Sequence, residues 1–201
     1  CNEYVTISRD DVTLHGEGAD SSVVNGPGSA APAILIQGQR NVIDGLTVTG
    51  GAGGVIVSGP FVASLSNLVV RNPATGNAVV GRGGGDASIT SCTMMKAVNG
   101  LGVARGGSAR VLGNSEMREN SASGVRADLN SAVNVGDSTQ LLDNGAHGIQ
   151  HPGLVQRRGA VRGRLHRHHP LGFQRADVDG ERAGDCDHVG HLFLRVRHHR
   201  R

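Results

Sequence analysis

The chain has 201 residues, enough for one domain with a buried core, yet it holds no Trp, one Tyr and three Phe, so that core is not aromatic. Thirty-two glycines, each costing about 1 kcal/mol against Ala inside a helix, exclude long helices and favour short aliphatic strands joined by Gly, Asn and Ser turns. The net charge of +3 is unevenly placed: residues 1–151 carry nine Lys and Arg against twelve Asp and Glu, whereas residues 152–201 carry eleven Arg against five acids. The overall charge of the body therefore offers no argument for binding nucleic acid or another polyanion, and the basic character belongs to the tail.

No stretch approaches the roughly 18 apolar residues of a membrane span. The chain opens on "CNEYVTISRDDVTL", already strand-like and without a signal peptide, so a preceding segment is expected to be missing. Cys1, Cys92 and Cys186 are odd in number and far apart, which indicates neither a disulfide framework nor a metal site.

In chain order, short strands are predicted to start at Val5, Ile34, Val55, Ala78, Leu101, Val125 and Ile149. The last five are separated by 23, 23, 24 and 24 residues. A second apolar column follows at Leu14, Ile43, Leu65, Ile89, Leu112 and Val135, and a third at Val48, Val70, Met94, Met117 and Gln140. Turn-tolerant residues (Gly16, Gly45, Asn67, Ser91, Asn114, Asp137) stand two places after the second column. Gly76, Gly100, Gly124 and Gly148 close successive coils, where a positive φ is expected.

No unit of this length buries its own apolar side, but stacked units do, at the roughly 4.8 Å spacing of paired strands. The expected interior is a set of ladders: Ile34, Val55, Ala78, Leu101, Val125 and Ile149 in one, and Val57, Val80, Val103 and Ala127 in another. Ile56, Val79 and Gly102 are then expected to face outward. The fold class is all-β, a parallel β-helix (solenoid) of about six coils over residues 1–151, followed by a non-repeat tail over 152–201.

"NEYVTISRDDVTLHGEGADSSVVNG" and "NVIDGLTVTGG" resemble the first coils and the commonest repeat element of the right-handed parallel β-helix proteins of the pectate-lyase-like superfamily. The resemblance covers residues 2–151. It implies right-handed coiling, which the crossover preference of parallel strands also favours, and a secreted or cell-surface location.

At residue 152 the composition changes. Residues 1–151 contain 23 Ser and Thr and twelve Asn, whereas the last fifty contain none of the three. Three readings stay open: an Arg-rich tail for nucleic acid or acidic polymers, a metal site from Cys186, His188 and His191 with His166, His168 and His169, or out-of-frame translation of a GC-rich gene. The last leads, because it yields Arg, Gly, His, Ala and Leu without Ser, Thr or Asn. The open strand edge after the last true coil is expected to promote self-association.

Enzymes of the resembled superfamily act on polysaccharides with a basic residue and Ca²⁺, or with paired carboxylates. Their motifs are absent here, so no catalytic residue, metal ligand or cofactor is assigned, and Ca²⁺ enters by resemblance only. One candidate ligand strip remains. "RGG" recurs at 82–84 and 105–107, which places Arg82 and Arg105 one coil apart, with Arg126 and Asp128 on the next coil. Charged turn residues that stay solvated and discourage sideways aggregation are the plainer account of this edge. His147 and His151 flank the last coil as candidate bases, and Asp10, Asp11 and Asp44 read as turn residues bonding their own backbone. The expected function is a non-catalytic repeat module contacting acidic polysaccharide, glycans or other surface polymers. The alternatives are a polysaccharide lyase or hydrolase fragment lacking its catalytic coils, and a structural adhesin-like spacer.

Overall fold

A computed structural model describes residues 3–28, 30–128, 130–136 and 138–151, and the backbone alone of two further strands at 154–157 and 162–163. Among these residues every regular element is a strand, and each coil contributes three. The first coil holds β1 (Val5–Ile7), β2 (Thr13–His15) and β3 (Val23–Gly26), and the second β4 (Ile34–Ile36), β5 (Asn41–Asp44) and β6 (Thr47–Gly50). The third holds β7 (Val55–Ser58), β8 (Val62–Ser66) and β9 (Val69–Arg71), and the fourth β10 (Val79–Arg82), β11 (Asp86–Thr90) and β12 (Thr93–Met95). The fifth holds β13 (Asn99–Ala104), β14 (Ser108–Leu112) and β15 (Glu116–Arg118). The sixth holds β16 (Ser123–Ala127), β17 (Ala132–Val135) and β18 (Gln140–Leu142). β19 (His147–Gln150), β20 (Leu154–Arg157) and β21 (Arg162–Gly163) follow.

Each strand pairs in parallel with the strand three places on, giving three seven-stranded sheets and a β-solenoid. The pairing passes residue 151, since β20 joins β17 and β21 joins β18. The rest of the tail, with its Cys/His clusters and the expected open edge, lies outside the described residues. No helix among the described residues is long and apolar enough to cross a membrane.

The interior is three aliphatic ladders, and the third column runs Val24, Val48, Val70, Met94, Met117 and Leu141. All six are buried, so stacked aliphatics do the work that aromatics do elsewhere. Val103 points inward at 1% exposure, as the spacing predicts.

Four positions differ from the spacing. Val79, not Ala78, joins Val55 to Leu101, and Gly81, not Val80, joins Val57 to Val103. Val79 thus faces inward and Val80 outward. In the second column Val111, fully buried, takes the place predicted for Leu112, which is 42% exposed. Leu141 replaces Gln140 because the second corner gains one residue: the interval is five from Ile89 to Met94 but six from Val111 to Met117 and from Val135 to Leu141.

Three of the coil-closing glycines, Gly76, Gly100 and Gly124, are explained by close approach rather than by φ, whereas a Cβ on Gly148 would make only ordinary contacts from 3.6 Å. Gly76, Gly100, Gly124 and Gly148 are not among the positive-φ residues, but a Cβ on Gly124 would stand 2.8 Å from the Gly148 oxygen, and one on Gly100 2.7 Å from that of Gly124. The left-handed position of the second corner is instead Gly45, Asn67 and Ser91 in successive coils, at φ 68°, 53° and 53°. At the third corner, the side chains of the buried Asn120 and the half-buried Asn144 bond the backbone. Asn120 Oδ1 accepts from the Ala97 amide at 3.1 Å, and its Nδ2 donates to the Met94 carbonyl at 3.2 Å. Asn144 repeats the device one coil on, with Nδ2 donating to Met117 O at 2.9 Å.

Candidate functional site

The outer face of the first sheet changes character along the axis. Its central column runs Leu35, Ile56, Val80, Gly102, Arg126 and Gln150. The aliphatic surface stops at Gly102, and charged and amide groups take over. Beside it Ser58, Arg82 and Ala104 share a second outward column, and Asp128 follows Ala127 on the next coil.

Arg82 ends β10, half-buried, and its Nε donates to Ser58 Oγ at 3.4 Å. Arg126 Nε donates to Asp128 Oδ1 at 3.1 Å, with both side chains roughly half exposed. Arg105 is exposed at φ 54° and makes no side-chain hydrogen bond or ion pair among the described residues. All four candidates therefore lie on one edge over three consecutive coils. The two "RGG" arginines are nevertheless out of step, because Arg82 pairs with Ala104.

Turn geometry explains the offset. Gly85 N donates to Arg82 O at 3.2 Å around Gly83 and Gly84, at φ 64° and 87°. Gly107 N donates to Ala104 O at 3.1 Å around Arg105 and Gly106, at φ 54° and 77°. Both are type I′ turns, which need positive φ at both central residues. Arg82 is the opening residue of its turn, whereas Arg105 is the first central residue of the next one.

Four further polar groups border this face, of which Asn99 and Ser123 are buried, and were missed by reading the sequence. The long third corner of coil three lays Asn77 over Gly102, where any Cβ would collide with its Nδ2. Asn99 Nδ2 donates to Asn77 Oδ1 at 2.8 Å, and the Ser123 amide donates to Asn99 Oδ1 at 3.1 Å. Ser123 Oγ in turn donates to Gln150 Oε1 at 3.2 Å. Asn77, Asn99, Ser123 and His147 each stand two residues before their ladder residue, a constant offset that was there to be found. His147 pairs with Ser123, and His151 is exposed just beyond β19.

The acidic turn residues bond across coils rather than to their own turns. Asp10 Oδ1 accepts from the Gln39 amide at 2.8 Å, and Asp11 accepts from Arg40 Nε at 2.7 Å, which holds its carboxyl below the ordinary range. Asp44 Oδ1 accepts from Ser66 Oγ at 2.6 Å and Asn67 Nδ2 at 2.8 Å, while Oδ2 meets His15 Nδ1 at 3.0 Å. These bonds, the Ser66 hydroxyl first, lower the Asp44 carboxyl.

Among the described residues no three His, Cys, Asp or Glu side chains come together to hold a metal. Asp128, the carboxylate of the strip, is tied to Arg126, whereas Ca²⁺ needs about six to eight oxygen ligands. The edge does not fit Ca²⁺. Neither a family model, nor a curated protein, nor a solved structure matches the chain.

Proposed function

We propose that the solenoid is a non-catalytic repeat module that contacts acidic surface polymers, glycans foremost, along the edge carrying Arg82, Arg105, Arg126 and Asp128. One observation carries the reading: the guanidinium groups of Arg82, Arg105 and Arg126 stand on three consecutive coils along one edge of the first sheet. A chain lying along the axis meets a cation at about every 4.8 Å there. The resemblance to extracellular β-helix proteins agrees with such a partner and with a secreted or cell-surface location.

Each exposed charge pair contributes about 0.5–1 kcal/mol, so binding is weak, salt-sensitive and dependent on several coils acting together. The test is titration of the full chain with polyuronate at low and moderate salt, beside a variant carrying Arg82→Ala, Arg105→Gly and Arg126→Ala. Loss of at least about tenfold in affinity is expected, from three pairs of that size. Equal affinities, or no binding by the parent, refute the reading.

A further inference from the structure

The stacked type I′ turns carry more than arginines. In such a turn the amides of the two central residues are not used by the closing hydrogen bond. Here these are Gly83 and Gly84 in coil four and Arg105 and Gly106 in coil five. All four residues are exposed, and none of their N–H groups finds a backbone acceptor among the described residues. The turns lie one above the other, since Asp86 pairs with Ser108 just beyond them. The amide column begins at coil four, because Pro60, which lacks an N–H, lies under Gly84.

Successive free N–H groups in left-handed turns make a concave surface of partial positive charge that suits an anion. The Arg105 guanidinium is unengaged, and that of Arg82 is held only by a long bond to Ser58. Neither nearby carboxylate accepts a hydrogen bond from these amides. Asp86 opens β11 on the second-sheet side, and Asp128 is tied to Arg126.

We infer that the paired turns Arg82–Gly85 and Ala104–Gly107 form an oxyanion-binding site, in which the amides of Gly83, Gly84, Arg105 and Gly106 and the side chains of Arg82 and Arg105 receive a carboxylate, sulfate or phosphate group. The inference rests on the polymer-contact reading only for the source of that group. The backbone half of the site depends on no side chain. It survives Arg105→Gly, since glycine adopts the left-handed conformation freely.

The experiment is amide NMR of the full ¹⁵N-labelled chain titrated separately with inorganic sulfate, inorganic phosphate and monomeric galacturonate. Saturable shifts are expected at Gly83, Gly84, Arg105 and Gly106 and not around Arg110, an exposed arginine on the second sheet. Which of the three probes saturates first identifies the oxyanion. Arg105→Gly is expected to weaken the response about two- to fivefold while the Gly83, Gly84 and Gly106 shifts persist. Shifts of equal size around Arg110, or none at the turns, overturn the site. Small-anion shifts without polyuronate binding retain the site and reject the polymer reading; polyuronate binding that leaves these amides unmoved does the reverse.

Discussion

Val79→Asp and Val80→Asp differ by one position and separate two registers of the same strand. Val79 is 1% exposed and stands in the ladder between Val55 and Leu101. Burying a Val side chain contributes about 1.5–3 kcal/mol, all of it lost in the variant. An isolated carboxylate among aliphatic side chains adds several kcal/mol, whether it stays charged or takes up a proton. The sum, about 5 kcal/mol or more, rivals the total stability of about 5–15 kcal/mol typical of a domain. Val80 faces outward, half-buried, with Ile56 and Gly102 beside it and Arg82 two residues on along the same face. Its exchange costs about 1 kcal/mol or less. Urea unfolding followed by far-UV circular dichroism, with soluble yield alongside, measures both. A Val80→Asp protein that fails to fold beside a Val79→Asp protein that unfolds like the parent refutes the ladder assignment.

Asn120→Ala removes the acceptor of the buried Ala97 amide and a donor to the Met94 carbonyl. It is expected to cost about 2–4 kcal/mol in urea unfolding. Gly124→Ala is expected to lower the melting temperature through a loss of about 1–3 kcal/mol, because the new methyl meets a neighbouring backbone oxygen that cannot swing away; an unchanged melting temperature excludes the close-approach account. The Asp44 carboxyl is lowered in the folded state, so its contribution is present above the unfolded value near about pH 4 and is lost as pH falls through the folded one. Asp44→Asn is therefore expected to be less stable than the parent at neutral pH and to show a smaller further loss on acidification, as read by urea midpoints across pH.

The repeat was legible because a solenoid makes one demand at fixed intervals, and Ile34, Val55, Leu101 and Val125 answer it. The one-residue slips occur where the demand is degenerate. In Ala78, Val79 and Val80 any of three apolar residues satisfies the pattern, and only the backbone pairing at Gly81 decides. Val111 and Leu112 pose the same ambiguity, resolved by which one the ladder buries. The two "RGG" strings mislead because a turn is bounded by its closing hydrogen bond and not by its spelling. Asn77 and Asn99 escaped notice because a ladder read through Ala78 instead of Val79 hides their constant offset of two residues. Gly76, Gly100 and Gly124 stand out in the sequence for a reason other than φ, since close contact with a neighbouring coil constrains a residue as strongly as a positive φ does.

The third corner separates chain length from lattice position. From Val48 to Val55 the chain spends seven residues, from Val70 to Val79 nine, and from Met94 to Leu101 seven again, yet the ladders on either side stay in step. Extra residues are absorbed as surface loop, whose closure cost grows only slowly with length. This corner is therefore a natural grafting slot. A foreign peptide inserted at the exposed Ala74–Thr75 junction would be displayed beside Asn77, at the rim of the first sheet opposite the arginine turns, without passing through the hydrophobic ladders. Changing the loop there would alter what the rim offers to a partner while leaving the solenoid as it is.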